Sequence, residues 1–331
     1  MKRIYFYILS GLVLSSCFKE EEGIEPVDRG GAIVKTISTG ENGDYSDQVF
    51  YDIENNVEVK VVDRASWDLG FETTPTGVVV RLNTSNTMQA SKTGETDFSA
   101  ISDITTFPLD YYWDRSDGSV DSVALKDWII GGVPTNEVFI LDLGETVDLV
   151  QRGFRKLQIL GVTATDFTIR YANIDGSNEQ TRVIPKEVNK NQTCFSFSGA
   201  GSVVNIEPDA NDWDLLFTQY LHTFYDSDPE IYYSVHGVLL NPTKTKGARV
   251  FDKEFSEISI SDVAVYPLTN KLDVIGYEWK LFDFATELYT VDITKNYIIQ
   301  DRSGAYYKMR FTDFYNTGGV KGNPQFELVK L

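Results

Sequence analysis

The feature that most constrains the fold is a five-residue motif that occurs twice. Residues 67–71 read Trp-Asp-Leu-Gly-Phe, and residues 213–217 read Trp-Asp-Leu-Leu-Phe. Five further matches follow the two copies in the same order, with an offset that drifts as loop insertions would produce. They pair 80–83 with 238–241, 97–101 with 254–258, 107–109 with 266–268, 136–142 with 295–301 and 153–157 with 305–309. This conserved order predicts two tandem domains of one fold, about 35–185 and 186–331.

The pattern within these domains is that of β-strands. In Trp-Asp-Leu-x-Phe, period-two alternation predicts Trp, Leu and Phe on the core face of a strand, with Asp on the other face. Trp67 and Trp213 are therefore predicted to be packing residues. Short alternating or β-branched runs broken by Gly, Asn, Asp and Pro fill the remainder, and an aromatic content of 13% suits strands. The sequence predicts an all-β chain of two antiparallel domains.

The N-terminus is typical of an exported protein. Lys2 and Arg3 precede a short apolar run, which predicts a secretory signal peptide over residues 1–16. Leu14-Ser15-Ser16-Cys17 resembles a bacterial lipobox, which implies cleavage before Cys17 and acylation of that residue; the alternative is a plain signal peptide. Residues 17–34 are predicted to be a flexible acidic tether. Its Lys-Glu-Glu-Glu run at 19–22 resembles the surface-export signal of Bacteroidetes lipoproteins, or else it is a solvated linker.

Charge and cysteine content exclude several classes of function. The net charge of −19 argues against binding nucleic acid and against docking on anionic lipid, so the membrane is reached through the lipid anchor only. After cleavage and acylation, Cys194 is the one cysteine left for the folded chain. It can form neither an intramolecular disulfide nor a structural zinc site. We expect it to be a small buried hydrophobic residue.

Together, these segments resemble the HmuY-like family of Bacteroidetes lipoproteins. The resemblance rests on the lipobox, a strand–turn–strand at 49–59, the Trp-Asp-Leu-x-Phe motif and above all the C-terminal segment 297–327. It covers 186–331 well and 35–185 more faintly. Characterised members have one domain, so a tandem form departs from the family. Membership implies an all-β fold, a place on the outer-membrane surface, and capture of haem for delivery to a TonB-dependent receptor.

The ligand loops depart from the family pattern. In characterised members, His or Met side chains from two loops hold the haem iron axially. The resemblance places one loop within 267–277 and the other at Asp283 or Phe284, after Trp-Lys-Leu-Phe at 279–282. Neither loop contains His or Met, and Tyr277 is the one plausible ligand.

Other candidate iron ligands are few, because the chain has 2 His and 3 Met. His222 and His236 flank a predicted hairpin turn near 227–228, about 10–13 Å apart, and share a face only if their register is even. This arrangement does not sandwich a haem, so one histidine would be a single axial ligand; alternatively, both are ordinary strand residues. Met88, in the loop 83–94, is a further candidate. Tyr225 and Tyr232 are candidate aromatic residues for packing on the porphyrin.

No nucleophile, base and acid are clustered in the sequence as an enzyme would need, so we expect a binding protein with no metal beyond haem iron. The 49 acidic residues leave a glycosidase pair open to counting, and the Asp-Ser-Asp run at 226–228 lacks the full ligand set of a calcium loop. The leading hypothesis is a haem-capture surface lipoprotein. The alternative is the same scaffold binding a protein or glycan without haem, and a third is a periplasm-facing structural component.

Overall fold

The computed structural model describes residues 31–331, and the signal peptide, Cys17 and most of the tether lie outside that range. Its strands are β1 Ile33–Thr36, β2 Asp47–Asp52, β3 Val57–Asp63, β4 Leu69–Glu72, β5 Val80–Leu82, β6 Gln89–Lys92, β7 Tyr111–Tyr112, β8 Ile129–Ile130, β9 Val133–Pro134, β10 Val138–Asp142, β11 Phe154–Val162, β12 Asp166–Ala172, β13 Gln180–Pro185, β14 Gln192–Ser196, β15 Ser202–Val204, β16 Leu215–Phe224, β17 Ile231–Leu240, β18 Lys246–Val250, β19 Lys280–Asp283, β20 Leu288–Val291, β21 Asn296–Gln300, β22 Tyr306–Tyr315 and β23 Lys321–Lys330.

The prediction of an all-β fold is confirmed. Residues 31–331 contain no α-helix, and every strand pairing is antiparallel. The helical turns are of 3₁₀ type, at Arg64–Ser66, Thr84–Asn86, Phe98–Ala100, Ile104–Thr106, Val120–Ser122, Lys126–Trp128, Phe255–Glu257 and Ile260–Ala264. Within the same residues, none of the helical segments has the length and hydropathy needed to cross a bilayer.

Two sandwiches of similar construction make up the chain. Unit one packs the sheet β15-β14-β4-β5 on the sheet β13-β12-β11-β10-β6-β7. Its core includes Leu69 and Phe71 from the first sheet and Phe139 and Leu157 from the second, all fully buried. Unit two packs β17-β16-β2-β3 on β1-β23-β22-β21-β18.

The hairpins that complete the two units are exchanged between the sequence repeats. β2 and β3 precede the first Trp-Asp-Leu-x-Phe motif, yet β2 pairs with β16 of the second, with Tyr51 opposite Leu215. Reciprocally, β14 and β15 precede the second motif, and β14 pairs with β4 of the first, with Phe195 opposite Leu69. The domain ranges 35–185 and 186–331 stay a prediction, and each sandwich contains strands from both sides of that boundary.

Equivalent side chains make equivalent bonds in the two units, which supports the repeat. Lys156 Nζ donates to the carbonyls of Phe98 and Ile101, as Lys308 Nζ does to those of Phe255 and Ile258. Asn83 and Asn241 likewise each donate to the carbonyl oxygen of the motif tryptophan.

The units meet at a cluster of buried side chains that comprises Phe50, Trp67, Cys194, Ile206 and Trp213. Burial of Cys194 agrees with its predicted role. The prediction that the motif tryptophan shares a core face with the Leu and Phe that follow it is wrong. β4 and β16 begin only at the Leu of each motif, so the extended residues before them turn the indole towards the other unit.

Candidate functional site

The two histidines lie on the long ribbon formed by β16 and β17. Gln219 is opposite His236 and His222 is opposite Tyr233, so the histidines are offset by three residues along the ladder. An odd offset places their side chains on opposite faces of the ribbon. A single haem cannot contact both rings in this structure.

His236 faces the interior of unit two. It is 4% exposed and its ring stacks on Tyr45 at 4.8 Å. Both of its ring nitrogens are buried without a hydrogen-bond partner among the described residues. Burial, and secondarily the neighbouring ammonium of Lys280, hold the pKa of His236 well below its usual range.

Met88 lies in the core of unit one rather than in an open loop. It is fully buried among Leu69, Phe139 and Leu141, because its apolar thioether fills space between the two sheets. For both Met88 and His236, contact with a ligand would require the surrounding core to open.

His222 and Tyr277, by contrast, lie side by side near the surface. Their ring centroids are 4.9 Å apart at an interplanar angle of 60°, and Phe224 packs edge-on against His222 at 5.2 Å. Tyr277 belongs to the loop that the family resemblance assigns to the first ligand. Two of the four candidate ligands are thus brought into contact, but on one side of any bound plane and not on opposite sides.

The environment of His222 favours a neutral, available imidazole. Burial lowers its pKa, and the Asp273 carboxylate opposes this shift only in part. Nδ1 lies 3.4 Å from Ser116 Oγ. Nε2 makes no hydrogen bond within residues 31–331 and is not among the atoms sealed from solvent without a partner. Nε2 is therefore the ring nitrogen that a ligand can reach.

A loop of unit one covers this edge of unit two. Trp113 Nε1 donates to Thr223 Oγ1 at 2.8 Å, and Arg115 pairs with Glu230 at 2.8 Å. The sequence analysis did not single out this loop, since it carries no recognisable motif. Its approach depends on how two units pack, which strand periodicity does not encode.

Both aromatic candidates adjoin this loop. The Arg115 guanidinium lies 4.9 Å from the ring centre of Tyr225, and Tyr232 packs on Trp113 at 4.3 Å. Tyr225 is 50% exposed and its ring is 6.5 Å from His222. An accessible imidazole, exposed aromatic rings and a cation able to meet a carboxylate are the groups that a haem edge requires, so the residues present fit this group.

The second ligand loop of the family forms the turn of the hairpin β19–β20. Phe284, one of the two positions suggested for the ligand, is 86% exposed. The corresponding hairpin of unit one, β8–β9, turns through Gly131 and Gly132. Neither turn presents an imidazole or thioether to iron.

A cavity of about 540 Å³ lies between the two units, a volume within the usual range for small-molecule sites. It is lined by the equivalent pairs Trp67 with Trp213 and Asn83 with Asn241, among others. Neither His nor Met lines it, and the four candidate ligands are absent from its wall. Ser116 does line it, which places His222 just behind one edge of the cavity.

Ser116, His222 and Asp273 do not have the order of a hydrolytic triad. Ser116 Oγ donates to Asp273 Oδ2 at 2.6 Å, so the hydroxyl lies between the acid and the imidazole. In a triad the histidine lies between the acid and the serine and removes the serine proton. This geometry suits orientation of the imidazole and not activation of the hydroxyl.

Fold and site together define an all-β binding scaffold whose candidate site lies at the end of a strand ribbon. The sequence model of one family, described as HmuY protein, matches residues 44–328. The chain belongs to the HmuY family, which confirms the resemblance found in the sequence. It matches none of the curated proteins.

Three solved structures are similar to this chain. One is a candidate HmuY-like haem-binding protein from Bacteroides vulgatus ATCC 8482, with 19% identity, 39% of this chain and 78% of that chain covered, and a TM-score of 0.24. Another is a candidate lipoprotein from Bacteroides fragilis NCTC 9343, with 14% identity, coverage of 50% and 89%, and a TM-score of 0.22. The third is an apo HmuY analogue from Tannerella forsythia, with 11% identity, coverage of 92% and 98%, and a TM-score of 0.25.

Proposed function

We propose that this protein captures haem, with His222 Nε2 as the single axial ligand supplied to iron. The observation that carries the proposal is a reachable, unbonded imidazole nitrogen in a member of the HmuY family. Phe224, Tyr225 and Tyr277 would pack against the porphyrin, and Arg115 would meet a propionate. Haem supplies iron to the cell, and the chain's own residues bind and orient it without catalysing a reaction.

The place of this function is the outer surface of the outer membrane. The lipobox-like sequence at Cys17 supports lipid anchoring, and the acidic run after it supports export to the surface. A surface haem-binding protein needs an acceptor, so delivery to a TonB-dependent receptor is part of the proposal.

Haemin titration of the soluble chain beginning near Ile33 tests the proposal. We expect a saturable Soret band at one haem per chain, which His222→Ala reduces by at least tenfold in affinity. His236→Gln is the matched control, because it changes the buried histidine on the other face of the ribbon. A non-saturating signal from the unchanged chain would remove haem capture, and equal binding by His222→Ala would remove the proposed ligand.

A second candidate function is binding of a protein or glycan without haem. The observation in its favour is the exposure of apolar side chains on two hairpins: Tyr233 is 66% exposed and Phe284 is 86% exposed. Exposed aromatic residues often mark interaction surfaces. Failure of haemin titration, combined with glycan or protein capture that Phe284→Ser or Tyr233→Ser abolishes, would favour this function.

A further inference from the structure

The hydroxyl of Ser116 connects the imidazole of His222 to the carboxylate of Asp273. Ser116 Oγ is 2.6 Å from Asp273 Oδ2 and 3.4 Å from His222 Nδ1. A serine hydroxyl has one hydrogen to donate. Because the carboxylate takes that hydrogen, the serine oxygen must accept from Nδ1–H of His222.

This hydrogen-bond direction selects one tautomer of the neutral ring. With its proton on Nδ1, the imidazole leaves the lone pair of Nε2 free. Nε2 is also the nitrogen that makes no hydrogen bond within residues 31–331 and is not sealed from solvent. The side that can reach a ligand is therefore the side that can bind a metal.

Ser116 and His222 come from different units. Ser116 is held by backbone pairing of its neighbour, since Leu272 N donates to Asp117 O at 3.1 Å. The bonds from Trp113 and Arg115 to the β16–β17 ribbon fix the same loop on its other side. Unit one thus supplies a group that orients a side chain of unit two.

We propose that Ser116 and Asp273 are positioning residues that hold His222 in the tautomer and orientation needed to bind haem iron. This inference rests on the proposed function. Metal-binding histidines generally donate their second ring N–H to such a partner, and loss of that partner typically costs 10–100-fold in metal affinity. The candidate haem site is consequently complete only when both units are present.

The variants Ser116→Ala and Asp273→Ala, each compared with Ser119→Ala, test this inference in the soluble chain. Ser119 is in the same loop, and its side chain makes no cap hydrogen bond. We expect Ser116→Ala and Asp273→Ala to weaken haemin affinity about 10–100-fold, while Ser119→Ala leaves it unchanged. Ser116→Thr, which keeps the hydroxyl, should restore the affinity.

Nitrogen NMR of His222 without haem gives a readout that loss of packing alone would not produce. We expect Nδ1 to carry the proton in the unchanged chain, and the tautomer preference to be lost in Ser116→Ala. If His222→Ala abolishes haem binding while Ser116→Ala changes neither affinity nor tautomer, positioning is overturned and haem capture stands. If the unchanged chain does not bind haemin, or His222→Ala binds it equally, the inference falls together with the proposed ligand.

Discussion

Lys280 is a buried cation with no carboxylate partner among the described residues. Its ammonium donates to the carbonyl oxygen of His236 and lies over the rings of Trp279 and Phe314, at 4.4 and 4.8 Å from their centres. Burial lowers the pKa of Lys280 from 10.5 to about 7. The aromatic faces and one carbonyl replace only part of its hydration.

The consequence is a stability that depends on alkaline pH. Between about pH 7 and 10.5 the unfolded chain holds a proton on Lys280 that the folded chain lacks, so the free energy of unfolding should rise with pH. Lys280→Met should remove this contribution, which is on the order of a few kcal/mol. Urea unfolding at a series of pH values measures it.

The control for this experiment is Lys271→Met, whose side chain is 65% exposed. It should keep the rise with pH that the unchanged chain shows. Identical pH dependence in Lys280→Met and Lys271→Met would mean that Lys280 is charged in the folded chain throughout this range.

At the scale of elements, the aspartate of each motif joins its strand to the exchanged hairpin. Asp68 accepts from Phe197 N at 2.6 Å and from Arg152 at 2.6 Å. Asp214 accepts from Ile53 N at 2.9 Å and from Arg302 at 2.8 Å. Each carboxylate is fully buried and binds one backbone amide of a hairpin that belongs to the other sequence repeat.

We therefore expect Asp68→Ala and Asp214→Ala to destabilise the protein to a similar extent. Each leaves an arginine and a buried amide without an acceptor, at a cost of about 3–5 kcal/mol. Chemical denaturation measures the loss, with Asp226→Ala on the exposed ribbon turn as control. A loss below about 1 kcal/mol for both variants would show that the hairpins are held by their ladders alone.

Much at this scale could be predicted from the sequence. Alternating residues gave the strands of both units, and the motif order gave their correspondence. The exchange of hairpins could not be predicted, because β2 and β14 have the same pattern and either could pair with either motif strand. His222 and Tyr277 were recognisable by residue type. Ser116 was not, since one serine in a loop carries no signal until the units are packed together.

For the whole molecule, exchange makes each sandwich depend on both halves of the chain. The segment that links them runs between β13 and β14, and its Val188 is 82% exposed. On either side of it, β16 pairs with β2 and β14 pairs with β4 across the repeat boundary. These ladders, with the cluster around Trp67 and Trp213, cross the position where the chain could be cut.

Cleavage at a protease site inserted after Val188 should not separate the halves. Because each fragment supplies a hairpin to the other, we expect them to elute together at the size of the uncut protein in native size-exclusion chromatography. They should separate only in denaturant. The uncut chain with the same insertion is the control, and elution of two folded, separate fragments would contradict the exchanged pairing.

The exchanged hairpins also determine how the protein responds to dilution. If the same halves were separate chains, their assembly would be bimolecular and would weaken as their concentration fell. The short segment 186–191 keeps each half at an effective concentration on the order of millimolar for the other. Reassembly after a local opening is therefore independent of how many copies of the protein are nearby, and a single molecule retains its full complement of strands.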